Sequence, residues 1–406
     1  MLYPNPQKKV IIIGGGIAGL TCARACLDAG LEVELYEKRQ LSEMLSGAGG
    51  IFIQRNGMRV YQVIWGGKIY QQIYEQGGKI LSGGFFNRQG IPLYINNPQF
   101  IGDEDLGVCL LRPDLQKILY DSLPVGIVKN GVAFTGFQEI ETGVRVNFHD
   151  GSTTTGDILV GADGLYSQVR ACLQGEERLS SAIYSGMVCW RGYFPNHKIS
   201  WDDRYSWMEL WGRGNRFGFF DVGRGNFSFY AFSNRPQSQS QQDNSGKLLG
   251  ELQSIFADYG EPIPSIIKAL EGATIYQDNI CDRQPLGKEW GRGRVTLIGD
   301  AAHPVQPNLG QGGCMGIEDA FELAKILKIQ VNQDDMTSLL RQFEQSRAPR
   351  VTRVFTTSRQ VGKLGQTAST IGCFLRDGIY KLTPTWLGDL QFKWLFDYHA
   401  NWENHH

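Results

Sequence analysis

Hydrophobic positions along the chain follow two rhythms, and the points where one gives way to the other outline the elements. Residues 8–13 run from two lysines into an unbroken apolar stretch, which predicts a strand covered on both faces. Small and apolar residues at 20–29 predict a packed helix, Gly30 its end, and 32–36 (EVELY) a second strand. Together these make a β-α-β unit of about thirty residues. Further on, 112–123 reads as a helix with Leu115, Ile118 and Leu119 on one side, 132–148 as a β-meander and 157–160 as a buried strand. Between 181 and 273 the rhythm changes. Aromatic, period-two runs at 188–194, 207–211, 216–222 and 227–232 predict an antiparallel sheet. Residues 233–247 are rich in Gln and Ser without an apolar period, as expected of a loop. Residues 294–298 return to a buried strand, 317–329 read as an apolar helix and 336–363 as a long charged one. The pattern therefore predicts an α/β chain in which a β-sheet part interrupts a discontinuous α/β part, followed by a helical tail.

At 406 residues the chain has room for roughly two to three domains. Its 42% hydrophobic and 20% charged residues are those of an ordinary globular protein, and a net charge of -1 implies neither a nucleic-acid nor an anionic-membrane partner. Arg347, Arg350, Arg353, Arg359 and Lys363 are expected to form a solvated helix face. The eight cysteines form no CxxC pair or Cys/His cluster, so no metal site is expected. With no apolar run of transmembrane length, the composition points to a reduced, cytoplasmic protein, as monomer or homodimer.

Three glycine stations carry the chemistry. In GGGIAG, Gly14 allows a tight bend, Gly16 lets the backbone approach a pyrophosphate, and Gly19 permits close helix–strand packing. Glu37, at the end of the second strand, is positioned for a ribose diol. NAD and FAD both satisfy this unit. The second station is Gly161-Ala162-Asp163-Gly164. The third, GDAAHPVQPNLGQGGCMGIEDA from Gly299, favours a flavin: Asp300 follows a strand end, and 307–313 feeds a helix whose N–H groups would face the electron-rich edge of an isoalloxazine ring.

GGGIAG with Glu37, GADGLYSQVR at 161–170, and the third station together resemble the single-component flavin monooxygenases of the para-hydroxybenzoate hydroxylase fold. YSGMVCWRG (184–192), NLGQGGCMGIEDAFELA and FEQSRAPRVTRV (343–354) are most similar to the branch of zeaxanthin epoxidase and urate or salicylate hydroxylases. The resemblance implies a discontinuous Rossmann-like FAD-binding domain (1–75, 101–180 and 274–365), an inserted antiparallel β-sheet substrate domain (76–100 and 181–273) and a C-terminal helical segment (366–406). It also implies FAD-binding roles: Gly14, Gly16, Ala18 and Gly19 at the pyrophosphate, and Glu37 with Lys38 at the adenosine ribose. Arg112 and Gln116 would serve the phosphate and ribityl region, Asp300 the ribityl hydroxyls, and Gly310, Gln311, Gly312 and Gly313 the ring. Asp163 belongs to a motif tied to both FAD and NAD(P)H. One departure stands out: relatives often have a basic residue before a GAGG-like turn, where this chain has Leu45-Ser46-Gly47-Ala48-Gly49-Gly50. Arg55 and Arg59 lie nearby.

Only one dinucleotide unit is present, which fits relatives where NAD(P)H docks transiently. The implied reaction inserts one oxygen atom from O2, by way of a C4a-hydroperoxyflavin, into an aromatic or polyene small molecule. A flavin oxidase or dehydrogenase, or a non-catalytic flavin- or ligand-binding protein, are the alternatives. The protein's tasks would be to exclude water and orient the substrate. Arg191 and Pro307 are the catalytic candidates, and Trp190, Trp207, Trp211, Phe219 and Tyr230 are candidates to line the substrate. An arginine amid apolar strand residues needs an anionic partner, and a phenolate or carboxylate substrate would supply it at Arg191. His303 is expected to be a hydrogen-bonding support, not a base. The aromatic tail (Tyr380, Trp386, Phe392, Trp394, Phe396, Tyr398 and Trp402) is expected to pack on the core, with membrane contact less favoured.

Overall fold

The computed structural model describes residues 8–47, 49–96, 105–175, 182–200, 204–243, 246–329 and 335–403. The first apolar run forms the strand Lys9–Ile13, with Val10, Ile11 and Ile12 fully buried. It is the middle strand of a five-stranded sheet ordered Val295–Leu297, Ile158–Gly161, Lys9–Ile13, Glu32–Glu37, Val128–Asn130. All its pairings are parallel, so each connection must cross over, and the helix Ile17–Asp28 makes the first crossing. Neighbouring strands thus come from the start, middle and end of the chain. Their carboxyl ends bring the three glycine stations to one edge of the sheet, where ligands bind in such folds.

The aromatic runs form an eight-stranded sheet ordered Gln241–Asp243, Ile275–Asp282, Ile183–Pro195, Asn226–Asn234, Asn215–Asp221, Trp207–Trp211, Gly83–Asn87, Pro92–Asn96. It departs from expectation in three ways. Trp207–Trp211 pairs with Gly83–Asn87 in parallel, because that partner arrives from an earlier part of the chain. Ile275–Asp282, beyond the expected boundary at 273, pairs with Ile183–Pro195. The Gln/Ser-rich stretch contributes the edge strand Gln241–Asp243, where one exposed side tolerates polar residues on both faces. The predicted meander is the antiparallel set Phe134–Ile140, Gly143–Phe148, Thr153–Gly156.

Two main apolar cores result. One lies around the parallel sheet and takes in the helices Ile17–Asp28, Gly312–Ile329 and Met336–Gly365. The other lies between the eight-stranded sheet and the helices Lys247–Ile255 and Ile263–Ala269. The long helix presents the expected solvated face only in part: Arg353 and Lys363 are exposed, but the other three arginines meet acids. Arg347 pairs with Glu318 at 2.8 Å and Asp319 at 2.7 Å, Arg350 with Glu318 at 2.7 Å, and Arg359 with Asp282 at 2.6 Å. Those three acids are buried, and buried carboxylates need cations beside them. The tail forms the helices Thr370–Leu382 and Thr385–Phe396.

Candidate functional site

At the first station the glycines are required for different reasons. Gly14 has φ +112°, and a Cβ there would lie 2.4 Å from the Ala162 carbonyl oxygen. A Cβ on Gly19 would lie 1.9 Å from the Gly14 oxygen. Gly16 is the exception: its Cβ would meet no atom of the described residues within 4 Å, so its backbone is open to an incoming group. Glu37 is buried, and its carboxylate accepts from Gly15 N at 2.7 Å and from Arg39 N and Nε at 2.9 Å each. Burial works to raise its pKa, but the Arg39 and Gly15 donors outweigh burial and hold it below the ordinary carboxylate value. Lys38 is exposed; Arg39, which the sequence reading passed over, is the cation that meets Glu37. Gln116 is buried and donates to the Gly15 carbonyl, supporting the turn. Ala18 packs against Gly299 and Gly316, so the first and last stations approach through three small residues.

At the second station the Asp163 oxygens serve their own loop. They accept from Ser167 Oγ at 2.5 Å, Gln168 N at 2.7 Å and Val169 N at 3.2 Å, fixing the entry to the helix Gln168–Gln174. Burial raises the Asp163 pKa despite these donors. The adjoining Arg170 donates to the Ala302 carbonyl and ties this loop to the third station.

At the third station Asp300 and, across from it, Arg112 are both exposed, although interior elements surround them; they open into a cleft. Water in a cleft solvates charge less well than bulk water, and desolvation accordingly raises the Asp300 pKa and lowers that of Arg112. Arg112 also feels Arg191 and Arg39 as like charges, and Asp300 and Asp278 as opposite ones. Residues from all parts of the chain therefore share one electrostatic neighbourhood. Gly312 opens the helix Gly312–Ile329, and a Cβ on it would lie 3.9 Å from Asp300 Oδ1. The first N–H groups of a helix have no partner within it, so they are available at this point. Gly310 has φ +64°, and Gln54 Nε2 donates to the preceding Leu309 carbonyl at 2.7 Å. The Gln311 side chain turns inward, fully buried, and bonds Gln54 and Asn56. Pro307 is exposed at the head of the short turn Pro307–Leu309. His303 is a support, as expected: its Nε2 lies 2.6 Å from Asp319, and both are buried.

One face of the eight-stranded sheet closes over this edge. Gly50 N donates to Ser228 Oγ at 2.6 Å, and Phe220 and Arg191 pack on Gly50 and Gly49. Strand alternation divides the aromatic candidates. Trp190 and Phe219 belong to the core on the helix side, away from the cleft. Trp211 and Tyr230 point the other way and donate to Glu209 at 2.7 and 2.5 Å. Trp207, two residues before Glu209, shares that side. Arg216, buried, pairs with Glu209 at 3.0 Å and reaches Asn308 Oδ1 in the Pro307–Leu309 turn. Arg191 does have an anionic partner, but the fold supplies it: Asp278 lies 2.6 Å away. Arg191 is also the cation beside the glycine turn that lacked one in sequence. Arg55 pairs with Asp105 and Arg59 with the Phe396 and Tyr398 carbonyls; Ala48 lies outside the described residues. Glu209 and Arg216 were missed, although the argument applied to Arg191 fits Arg216 equally well.

The chain is similar to known proteins in sequence and in fold. The family described as FAD binding domain matches residues 7–358. The aurachin C monooxygenase/isomerase of Stigmatella aurantiaca is 31% identical over 376 residues, covering 92% of this chain and 94% of that protein. The chloroplastic zeaxanthin epoxidase of Solanum lycopersicum is 33% identical over 399 residues, 94% of this chain and 57% of the epoxidase, so the chain spans little more than half of that relative. The solved structure of Klebsiella pneumoniae HpxO complexed with FAD and uric acid superposes with a TM-score of 0.84 at 26% identity, over 97% of both chains. A salicylate hydroxylase substrate complex shares the fold, with a TM-score of 0.79 at 23% identity over 97% of this chain and 96% of the other.

Proposed function

The chain belongs to the FAD-binding-domain family of FAD-dependent monooxygenases, and on that premise we propose that it transfers one atom of O2 to an aromatic or polyene small molecule. The balance is substrate, O2, NAD(P)H and a proton going to oxygenated substrate, water and NAD(P)+. We read residues 1–75, 101–180 and 274–365 as the FAD-binding part and 76–100 with 181–273 as the substrate part, the strand Ile275–Asp282 joining the latter. Supply of NAD(P)H suits a cytoplasmic setting.

The residues fit FAD on the structure's own terms. A long, two-ended dinucleotide needs an open glycine backbone near one acid and a helix N-terminus near another. Gly16 with Glu37 and Gly312 with Asp300 provide these two ends, and Arg112 lies between. In this reading Glu37 accepts from the adenosine ribose, Arg112 neutralises phosphate, and Asp300 accepts from the ribityl hydroxyls. FAD, when bound, supplies the electron transfer and the oxygen activation. The chain's own residues orient and seclude. The observation that carries the assignment is the Arg191–Asp278 pair, set over Gly49 within the field of Arg112 and facing the cleft. Arg191 orients the polar end of a substrate there, and Tyr230, opposite Arg191 in the strand register, is held by Glu209. Gln311 acts through the interior, keeping the helix entry in register by its bonds to Gln54 and Asn56.

A screen of aromatic and polyene compounds for stimulated NAD(P)H oxidation under 18O2 tests the proposal. One 18O atom in the product is expected. Hydrogen peroxide as the sole product with every compound that stimulates oxidation would overturn it in favour of an oxidase.

A further inference from the structure

The helices Thr370–Leu382 and Thr385–Phe396 form a surface pair, and the first carries its polarity the wrong way round. On the first, the inward face is polar and aromatic: Cys373 Sγ and Arg376 Nη1 donate to the Gly212 carbonyl at 3.6 and 3.2 Å, and the Tyr380 ring sits 5.0 Å from Trp211. The outward face is apolar. Ile371, Phe374, Ile379 and Leu382 recur at helical spacing and are 73%, 78%, 63% and 83% exposed. Trp386 and Leu390 extend the stripe on the second helix, at 54% and 59%. Core packing, expected for the aromatic tail, holds for Phe392, Trp394, Phe396, Tyr398 and Trp402 but not for Trp386. A contiguous apolar stripe of this size marks a surface that something covers.

The charges around it say what. Lys363 and Lys381 are exposed at the ends of the Met336–Gly365 and Thr370–Leu382 helices, and Arg213 is exposed where its guanidinium donates to the Ala368 carbonyl. The nearby Asp377 is tied to Arg376 at 2.8 Å. The net charge of -1 averages over the whole chain and hides this basic rim. Among the described residues no helix is long and apolar enough to cross a membrane. We propose that this two-helix face docks on an anionic lipid bilayer, its apolar stripe entering one leaflet and Arg213, Lys363 and Lys381 meeting the phosphates. Behind the stripe, Tyr380 contacts Trp211 and Phe85, and Trp211 donates to Glu209, whose partner Arg216 reaches Asn308 beside the cleft. A substrate dissolved in the bilayer would enter along this aromatic wall. That consequence rests on the oxygenase reading, whereas docking does not.

Sedimentation of the FAD-loaded protein with vesicles tests docking independently of activity. Binding to vesicles of phosphatidylcholine with phosphatidylglycerol is expected to exceed binding to phosphatidylcholine alone by about tenfold, and to fall with salt. Phe374→Glu with Leu382→Glu, both at exposed positions, is expected to cut binding by about tenfold with FAD content unchanged. Should that variant fail to fold, brominated lipid decides: the quenching seen in the wild type must shrink in Trp386→Phe. Equal binding to both vesicles, no binding to either, or a wild-type dimer that the double variant dissociates would overturn the proposal.

Discussion

A methyl group at Gly14 and one at Gly16 would meet opposite surroundings. At Gly14 it strikes the Ala162 carbonyl at 2.4 Å from a left-handed backbone, so neither the side chain nor the strand can yield. At Gly16 the backbone is extended and the methyl points into open space. Gly14→Ala is therefore expected to lose fold and cofactor together. Gly16→Ala is expected to keep its thermal midpoint without FAD and weaken FAD about ten- to a hundredfold, as a close contact costing about 1–3 kcal/mol does. Differential scanning calorimetry and flavin-fluorescence titration separate the two. Equal losses of stability would refute the division of labour. Asp300 gives a second test at this scale. Its raised pKa means the folded protein disfavours its charge, so above that pKa the ionised carboxylate costs stability. Asp300→Asn is expected to raise the midpoint of the FAD-free protein at neutral pH while weakening FAD about ten- to a hundredfold, the worth of one charged hydrogen bond.

Between elements, the stability rests on acids of the helix Gly312–Ile329 and arginines of Met336–Gly365. Removing one cation leaves a buried acid uncompensated, so Arg347→Met is expected to cost about 3–5 kcal/mol in urea unfolding. The same cluster sets an acid limit. Burial would raise Asp319, but His303 and Arg347 outweigh it and pull its pKa from 3.8 to about 2. A depressed carboxylate stabilises the fold above its ordinary value, and the contribution is lost as pH falls from about 4 to about 2. The urea midpoint should therefore decline across that window in the wild type, and less steeply in Asp319→Asn, which starts lower. This is also where the sequence was least readable. Gly14 and Gly19 were legible because a left-handed φ and a close approach five residues apart are local features of the turn. Arg347, Arg350 and Arg359 looked solvated because their acids, Glu318, Asp319 and Asp282, lie on other elements. Arg39 was overlooked for the opposite reason: a salt bridge two residues away in an irregular turn has no periodic signature.

At the scale of the whole molecule, the catalytic proposal requires the sheet and the glycine edge to keep one geometry. Several contacts join them: Ser228 to Gly50, Arg191 over Gly49, Asp282 to Gln306, and Arg216 from Glu209 to Asn308. The last differs from the others because both charges are buried. Asn308 is in turn fixed to the long helix through the Ser358 carbonyl, so Arg216 joins the sheet, the turn before Gly310 and the helix at one point. Arg216→Met leaves Glu209 charged and buried, with only the Tyr230 and Trp211 donors, and is expected to cost about 3–5 kcal/mol. Adding Glu209→Gln removes the stranded charge, so the double variant should recover part of that loss. Recovery cannot extend to the turn, because the bond to Asn308 is gone in both. The two variants are thus expected to differ in urea midpoint yet share the same weakened FAD affinity. If FAD affinity recovers along with stability, the sheet does not hold the turn through Arg216, and the two parts of the site are assembled by the Gly49–Gly50 and Asp282–Gln306 contacts instead.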